Sequence, residues 1–392
     1  MAKELTFASM LKSGIYQNRS VLYDLQPPSG FLHRTEEKNE LVMELAPILM
    51  NSAVSGIFVY GTPGTGKSAL ITEIVKEIKN EAGKNKIGIK TAYINCSESR
   101  TETVIIIDLL SQLNPEKDYP RMGWTRSKAI DEFEKVLDNL STNVLVVLDE
   151  VDYALKESGD DILYRLSRIN NGIKSRLSTI LISNDIKVSD YIKPKTQSTI
   201  GRIKIIFSPY TSEQLFDIIK ERSKFAFIEG VVGDVVIKKI AEIESQRSGD
   251  ARKALELLDA CAKIALSKKK GKITLDLVGE ADELLGRDSV ISTLTGLTKH
   301  QKILFLAMIK TDEELLNSDM VYKDYIKECE NYNVEPLTER RVRSFLVEFD
   351  NMGMIRTEVG WLKNLHKKTR KITLNFDNAV RNKIRKVLRD TI

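Results

Sequence analysis

The chain has 392 residues, a length that predicts two or three domains. Hydrophobic residues make up 42% and charged residues 29%, a balance that indicates a globular protein and excludes a disordered one. No apolar run approaches the roughly 20 residues of a membrane helix, and the N-terminus lacks a signal-peptide core. Three scattered cysteines and three histidines argue against a disulfide framework, a zinc finger and a His-rich metal site, and favour a reducing interior.

The charge of the chain is unevenly distributed. The net charge is +5, from 60 basic and 55 acidic residues. From Thr295 onward there are 19 basic and 14 acidic residues, which leaves 41 of each before it. Residues 336–392 alone carry 14 basic and 6 acidic residues. This distribution predicts a region that binds a polyanion at the C-terminal end of a neutral body.

The first block, residues 18–207, alternates short apolar runs with helical patterns. The apolar runs cover residues 56–60, 91–95, 144–148, 178–183 and 202–207. Continuous β-branched runs separated by helices are typical of strands that are buried on both faces. We therefore predict an α/β domain with a parallel sheet, preceded by an N-terminal tail of residues 1–17.

Two further blocks follow the α/β block. Residues 208–288 are helical, with helix starts at Ser212 and near Asp250. In the last block, residues 295–392, helical patterns cover 299–310, 318–331, 338–352 and 378–389, and strand patterns cover 353–359 and 371–376. Three helices followed by a β-hairpin predict a winged helix-turn-helix domain.

A phosphate-binding loop stands at the end of the first predicted strand. The run Gly61-Thr-Pro-Gly-Thr-Gly-Lys-Ser68 matches GxxxxGK[ST] in full and opens a predicted helix, the context that the motif requires. Its backbone N–H groups can surround a phosphate at the helix N-terminus. Lys67 is the candidate contact to the β- and γ-phosphates, and Ser68 the candidate ligand of Mg²⁺. Thr65, Gly66 and Ala69 are further candidates for nucleotide contacts.

Polar residues that suit hydrolysis follow the later strands. Asp149 and Glu150 end an apolar strand, so Asp149 can hold Mg²⁺ and Glu150 can polarise water. Asn184 ends the next strand and can orient that water or simply cap a turn. Arg252 begins a helix of the second block and can reach the phosphates or lie on the surface. The residues alone leave these alternatives open.

Taken together, the P-loop, the Asp-Glu strand, the strand-end Asn and Gly249-Asp-Ala-Arg252 resemble the AAA+ ATPases. Three further features resemble the archaeal Orc/Cdc-type replication initiators: the winged helix, Leu32-His33-Arg34 and Tyr119-Pro-Arg-Met-Gly-Trp124. This resemblance extends from about Asn18 to the end of the chain. The resemblance implies a P-loop AAA+ core with a helical lid and a winged helix. It also implies that ATP or ADP binds between core and lid. The implied partners are double-stranded origin DNA, initiator paralogues on neighbouring sites and the replicative helicase. The implied location is cytoplasmic and nucleoid-associated.

The resemblance assigns roles to residues of the nucleotide site. Asn184 resembles sensor 1 and Arg252 sensor 2, which adds both to Glu150 as catalytic candidates. Tyr210 and Arg222 resemble nucleotide contacts at the start of the lid. His33 and Arg34 resemble the segment near the adenine.

One segment and one position resemble the family in other ways. Residues 102–124 resemble the insertion through which initiators touch DNA, with Arg121 as a candidate contact; the alternative is a helix packed on the core, with Trp124 as its anchor. Where the family carries an arginine finger, this chain has Lys195, which keeps the charge and loses the planar fork. We therefore expect slow hydrolysis and stably held nucleotide.

Two basic clusters mark the predicted DNA-reading end. Thr338 can cap the recognition helix, whose apolar face would bury Val342, Phe345, Leu346 and Phe349. Its first turns, the end that a helix-turn-helix points at DNA, carry Arg340, Arg341 and Arg343. The wing carries Lys363, His366, Lys367, Lys368 and Arg370, which suits phosphate contact. The alternative is a protein-interaction module whose charge is solvated or meets an acidic partner.

Three functions fit these patterns. The first is an ATP-regulated initiator that binds origin DNA. The second is a P-loop ATPase that regulates transcription or signalling and uses its winged helix for promoters or proteins. The third, a clamp-loader-like ATPase, is disfavoured by the basic winged helix.

Overall fold

Two units divide the chain, Met1–Val278 and Gly279–Ile392. The structure, a computed structural model, describes residues 14–392 apart from 29, 55, 201–202, 311–315, 353, 363–366 and 375–377. Within these described ranges, no helix has both the length and the hydropathy needed to cross a bilayer.

A five-stranded parallel sheet forms the centre of the first unit, with the strand order β2-β3-β4-β1-β5. The strands are β1 (Ile57–Gly61), β2 (Ile89–Asn95), β3 (Asn143–Asp149), β4 (Arg176–Ser183) and β5 (Ile203–Phe207). All five predicted strands are confirmed, with ends shifted by one or two residues. Every residue of β1 and β3 is buried, which explains their unbroken apolar runs.

Helices cover both faces of this sheet. They are α1 (Thr35–Leu45), α2 (Lys67–Lys84), α3 (Glu102–Leu113), α4 (Arg126–Leu140), α5 (Val151–Ser158), α6 (Asp161–Arg168) and α7 (Pro194–Gln197). Alternate residues of β1 enter two separate cores: Phe58 and Tyr60 pack with α3 to α6, whereas Ile57 and Val59 pack with α1 and α2. The motif residues at the strand ends are therefore held by a sheet with a core on each side.

The helical lid follows the sheet. It contains α8 (Ser212–Ala226), α9 (Asp234–Arg247) and α10 (Ala251–Ser267), and α11 (Leu275–Thr295) begins in the first unit and ends in the second. The predicted start of α8 at Ser212 is confirmed, but its cap is Thr211, which forms a capping box with Gln214. Asp250 caps α10 by accepting from the N–H of Arg252 at 2.8 Å.

The second unit is a winged helix. Its helices are α12 (Lys299–Lys310), α13 (Ser318–Asn331), α14 (Glu339–Asn351) and α15 (Asn378–Thr391). Its antiparallel sheet has the order β6-β8-β7 and contains β6 (Leu316–Asn317), β7 (Ile355–Leu362) and β8 (Lys367–Leu374). The predicted fold class, an α/β AAA+ core with a lid and a winged helix, is confirmed.

The sequence patterns were wrong in three details of this unit. The two-residue strand β6 was missed, because it is too short to show alternation. The hairpin is longer than predicted: Leu362 pairs with Lys367, so Lys367, Lys368 and Arg370 lie in β8 and not in a loop. Thr338 holds the N-cap position of α14, but its side chain makes no capping hydrogen bond.

Candidate functional site

A cavity of about 260 Å³ lies in the first unit, at the end of the sheet where β1, β3 and β4 finish. Four parts of the chain line it: the P-loop, the residues after β3 and β4, the lid, and the segment before α1. From these parts come Gly64, Gly66, Lys67, Ser68, Ala69, Glu150, Asn184, Tyr210, Ile218, Glu221, Arg222, Ala251, Arg252 and Leu255, and the N-terminal Leu22, Tyr23, Asp24, Leu25, Pro27, Gly30, Phe31 and Leu32. Motifs that are far apart in sequence thus meet around one space.

The P-loop is packed against the start of the lid helix α10. Gly64 has a φ of +75°, and a Cβ built on it would lie 1.6 Å from Oδ1 of Asp250. Its carbonyl oxygen accepts a hydrogen bond from the N–H of Ala251 at 3.2 Å. Both the left-handed backbone and the close approach require glycine here, so the loop and the lid helix are joined at a point that tolerates no side chain.

Lys67 is a buried cation with neutral partners. Its side chain is 4% exposed, and Nζ donates to the carbonyl oxygens of Gly61 at 2.7 Å and Thr62 at 2.8 Å. Within the described part of the chain it forms no ion pair. Burial lowers the pKa of Lys67 to about 8, although the negative charge of Asp149 opposes this shift. An ammonium group in this position favours an anion as its next partner.

Asp149 is fixed by a residue that the motifs did not reveal. The hydroxyl of Tyr93 donates to its Oδ2 at 2.5 Å, and the N–H of Glu150 donates to its Oδ1 at 2.8 Å. Burial, and then the charge of Asp149, raises the pKa of Tyr93. The register of the strands explains the contact between Tyr93 and Asp149. Tyr93 pairs with Val147, which lies two residues before Asp149 and on the same face of the sheet.

Glu150 and Asn184 meet where β3 and β4 end. The side-chain amide of Asn184 donates to Oε1 of Glu150 at 3.3 Å. Glu150 has a φ of +53°, a strained backbone conformation of the kind that persists at functional sites. Asp152 accepts hydrogen bonds from the hydroxyl of Ser183 at 3.1 Å and the N–H of Asn184 at 3.4 Å, which fixes the second strand end.

The lid supplies two arginines with different surroundings. Arg252 lies in the first turn of α10 with its side chain 67% exposed and its Nε 3.6 Å from Oδ1 of Asp250. Arg222 is 7% exposed and donates to the carbonyl oxygen of Val21 at 2.6 Å, and its buried Nε has no partner within the described residues. Arg252 is thus largely exposed beside its Asp250 partner, whereas Arg222 is buried and bonded to the N-terminal segment.

Three predicted nucleotide contacts lie beside the cavity and do not line it. Arg34 is 3% exposed, and it donates to the carbonyl oxygens of Thr65 at 3.1 Å and Ser208 at 2.7 Å. His33 turns away, with Nε2 2.8 Å from Oδ2 of Asp217. The hydroxyl of Thr65 is bonded to the carbonyl oxygen of Thr62 at 2.9 Å. Arg34 therefore stabilises the P-loop through the carbonyl oxygen of Thr65, outside the cavity lining.

Arg34 also stacks on the wall of the cavity. Its guanidinium carbon lies 4.0 Å from the ring centroid of Tyr210, which is buried and does line the cavity. Tyr210, like Arg222, is therefore a predicted lid contact that lines the cavity, and Arg34 supports its ring from the side away from the cavity.

The candidates in the insertion and at the finger position lie away from this cavity. Most of the apolar residues of α3 are fully buried, and Trp124 packs on the same core, as the packing alternative predicted. Both guanidinium nitrogens Nε and Nη2 of Arg121 lie 2.9 Å from the carboxylate of Asp108. Lys195 is exposed in α7, with Nζ 4.5 Å from the ring centroid of Tyr164.

In the second unit, helix α14 presents its arginines to solvent. The predicted apolar face of α14 is confirmed, since Val342, Phe345, Leu346 and Phe349 are all buried. Arg340, Arg341 and Arg343 are exposed; Arg341 lies 4.7 Å from the ring centroid of Phe345, and Arg343 pairs with Glu339 at 2.5 Å.

The structure describes less of the wing. Arg370 is half-buried, and the backbone of Lys367 and Lys368 lies in β8. Lys363 and His366 lie outside the described residues.

Comparison with protein families places each part of the fold. Residues 52–189 match an AAA domain, residues 216–283 a Cdc6 AAA+ ATPase-type lid domain, and residues 292–382 a CDC6 C-terminal winged helix domain. The structure of the Aeropyrum pernix ORC1 protein in complex with DNA has a TM-score of 0.84 and 27% identity, covering 96% of this chain and 97% of that one. CDC6P from Pyrobaculum aerophilum has a TM-score of 0.59 at 24% identity, covers 96% and 99% of the two chains, and supports the fold alone.

Full-length relatives agree with these domain matches. An ORC1-type DNA replication protein of Thermococcus onnurineus is 35% identical over 367 residues, covering 92% of this chain and 88% of the relative. The ORC1-type DNA replication protein 1 of Sulfolobus acidocaldarius is 36% identical over 355 residues, covering 90% and 88%. The chain therefore belongs to the family of ORC1-type DNA replication proteins.

Proposed function

We propose that the chain is an ATP-binding origin-recognition protein that binds double-stranded origin DNA and takes part in initiating replication. One observation carries the nucleotide part: Lys67, Glu150, Asn184 and Arg252 surround a single cavity between the P-loop and the lid. The DNA part is supported by the exposed arginines of α14 and by a 27% identical relative whose structure is that of an ORC1 protein in complex with DNA.

The cavity has the two ends that ATP or ADP requires. At one end, the N-terminus of α2 and the backbone N–H groups of the P-loop favour phosphates, and Lys67 adds a positive charge. At the other end, Phe31, Ile218 and Leu255 offer apolar surface to a base. Tyr210 and Arg222 complete the wall on the lid side.

The oxygen donors beside the phosphates suit Mg²⁺. Hydroxyl and carboxylate oxygens are the ligands that Mg²⁺ prefers, and Ser68 and Asp149 would hold it, with the carboxylate of Asp149 hydrogen-bonded to Tyr93. Bound Mg²⁺ supplies neutralisation of phosphate charge. Tyr93 keeps the Asp149 carboxylate in one orientation, and Lys67 keeps the P-loop carbonyls turned inward.

For hydrolysis, Glu150 accepts the proton of a water molecule, and the amide of Asn184 orients its carboxylate. Arg252 reaches phosphate oxygens from the lid. We propose that turnover is slow, because Lys195 lacks the planar fork of an arginine finger. Steady-state ATPase should be slow and unchanged in Lys195→Ala, so rapid turnover that depends on Lys195 would contradict this part.

DNA contact is proposed at three places. The first turns of α14 read base edges, and the wing residues contact phosphates, with Arg121 as a lesser contact from the insertion. Recruitment of the replicative helicase, action beside initiator paralogues on neighbouring sites, and a cytoplasmic, nucleoid-associated location complete the proposal, and they rest on family membership.

The test of the proposal is a pair of titrations with the full chain. A fluorescent ATP analogue with Mg²⁺ should bind wild-type protein and be displaced by unlabelled ATP. Origin DNA fragments should then be bound more tightly than promoter fragments of equal length and base composition. Equal binding to both fragments would favour a transcription regulator, and failure to bind the analogue would overturn the nucleotide site.

A further inference from the structure

The segment before α1 forms part of the cavity wall, and its side chains Val21 and Leu22 are buried. We call residues 14–32 the N-terminal strap. Leu22, Tyr23, Leu25 and Phe31 are among its eight residues that line the cavity. Among the described residues of the strap, 14–28 and 30–32, regular helical structure is limited to one 3₁₀ turn, Arg19–Leu22, so ordering the strap has a large entropic cost that contacts elsewhere must offset.

The beginning of the strap is attached to the lid. Tyr16 forms a β-bridge with Phe227, and their rings stack with centroids 5.1 Å apart. The backbone N–H groups of Gln17 and Asn18 donate to the carbonyl oxygen of Ala226 at 2.9 and 3.1 Å. The strap therefore moves with the lid at this end.

A single buried carboxylate gathers the polar side chains of the strap. Asp259 is 0% exposed, and it accepts hydrogen bonds from the hydroxyls of Tyr16 at 2.8 Å and Tyr23 at 2.5 Å. Nε and Nη2 of Arg19 donate to its two oxygens, each at 2.8 Å. Lys263, one turn further along α10, pairs with it at 2.8 Å. Three of its four donor residues thus belong to the strap.

Asp259 is placed one helical turn behind the cavity. Arg252 and Leu255 of α10 line the cavity, and Asp259 follows Leu255 by four residues, on the same helix face. Asp259 itself does not line the cavity. Tyr23, which both binds Asp259 and lines the cavity, connects this carboxylate to the cavity wall.

We propose that Asp259 is a positioning residue for the nucleotide, since it clamps the strap against α10 and so closes the base end of the cavity. This inference rests on the proposed function, because it assigns the strap to the base and sugar of the nucleotide and the P-loop to its phosphates. The charge-assisted hydrogen bonds to Asp259 hold the strap in place at the end of the cavity through which the base enters and leaves. Loss of these bonds therefore speeds nucleotide release.

The experiment compares two ligands that share only the phosphates. ATP and inorganic tripolyphosphate are titrated against wild type, Asp259→Asn, Tyr16→Phe and Lys67→Ala. Asp259→Asn should lower ATP affinity by about tenfold, because at least one charge-assisted hydrogen bond to the strap is lost, and should leave tripolyphosphate affinity unchanged. Tyr16→Phe, which keeps the stacked ring and removes one donor, should shift ATP affinity in the same direction by less.

Controls separate the clamp from general damage and from the proposed site. Lys263→Ala removes a donor that is outside the strap and should affect ATP affinity less than Asp259→Asn does. Trypsin should cleave the strap at Arg19 faster in Asp259→Asn than in wild type. Lys67→Ala should lose both ligands, and if it loses neither, the proposed nucleotide site fails.

Two outcomes overturn the inference while the proposed function stands. One is an unchanged ATP affinity in Asp259→Asn together with faster cleavage of the strap by trypsin. The strap would then be released from α10 without any effect on nucleotide binding. The other is an equal loss of ATP and tripolyphosphate, which would mean that Asp259 only stabilises the lid. If Asp259→Asn does not fold, Tyr16→Phe provides the same comparison, and an ATP affinity equal to wild type then counts against the clamp.

Discussion

Lys67 of the nucleotide cavity and the arginines of helix α14 are held in opposite ways. Lys67 is 4% exposed and fixed by two carbonyl oxygens, whereas Arg340, Arg341 and Arg343 are exposed on the surface of α14. A buried cation is already desolvated, so an arriving anion gains a strong interaction with it. An exposed cation keeps its water and contributes in small steps that salt weakens. Substitutions in the cavity should therefore have large effects, and substitutions on the helix and wing should have graded ones.

The largest effect is expected from Lys67→Ala. Loss of a buried charge that meets phosphate should lower ATP affinity by roughly 100-fold or more. Lys79→Ala, an exposed lysine on the same helix α2, is the matched control and should bind ATP like wild type. Calorimetric titration measures both, and similar affinities for the two variants would remove Lys67 from the site.

Arg341→Ala should have the next largest effect. If Arg341 reads a base edge, its loss reduces discrimination between specific and mutated origin DNA by about 1–3 kcal/mol. Arg343→Ala, in which the lost side chain is paired with Glu339, is the comparison within the same helix. Competition binding with single-base variants of the site gives the measurement, and unchanged discrimination in Arg341→Ala would assign this arginine to phosphate contact alone.

The pKa of Lys67, lowered to about 8 by burial, predicts a pH dependence of nucleotide binding. The negative charge of the ATP phosphates favours the protonated amine of Lys67. Above pH 8, Lys67 of the empty site must therefore take up a proton when ATP binds. ATP affinity should therefore fall as pH rises, by up to about tenfold for each pH unit above 8. Calorimetry in buffers of different ionisation enthalpy should show this proton uptake.

Stability of the nucleotide-free protein should respond to pH with the opposite sign. The folded-state pKa of Lys67 lies below its unfolded value, so folding releases a proton from this lysine between pH 8 and about 10.5. The contribution of Lys67 to the free energy of unfolding therefore rises with pH across that range. Lys67→Ala should lack this contribution, and an identical pH profile in both proteins would contradict the burial of a charged amine.

The smallest effect is expected from the double variant Lys367→Ala and Lys368→Ala. These residues lie in β8 at the start of the basic strand, and phosphate contacts there carry no sequence information. Binding to all DNA should weaken uniformly, and the slope of log K against log salt should flatten by about 2, one unit for each lost contact. A changed sequence preference with an unchanged slope would reverse the roles assigned to wing and helix.

Local patterns in the sequence predicted the sheet, the P-loop and the apolar face of α14. Each depends on neighbours within a few residues: the P-loop is continuous from Gly61 to Ser68, and the buried face of α14 follows helical spacing. Membership of one cavity also followed from topology, because Glu150 and Asn184 end adjacent strands.

The partners of Asp149 and Asp259 could not be predicted in the same way. Tyr93 reaches Asp149 from 56 positions earlier in the chain, and Tyr23 reaches Asp259 across 236. No periodic pattern of neighbouring residues in the sequence indicates such long-range contacts. The position of His33 could not be predicted for a different reason: its φ of +58° turns the chain, and its side chain pairs with Asp217 beside the cavity and does not line it.

Footprinting on chromosomal DNA tests the central claim that this chain binds replication origins through α14 and the wing. Wild-type protein and the variant Arg341→Ala with Lys367→Ala and Lys368→Ala are incubated with chromosomal fragments, with ATP and Mg²⁺ present. We expect sharp protection at replication origins by wild type and loss of that protection in the variant. Protection confined to promoters, or no protection at all, would contradict the assignment of this chain as an origin-binding initiator.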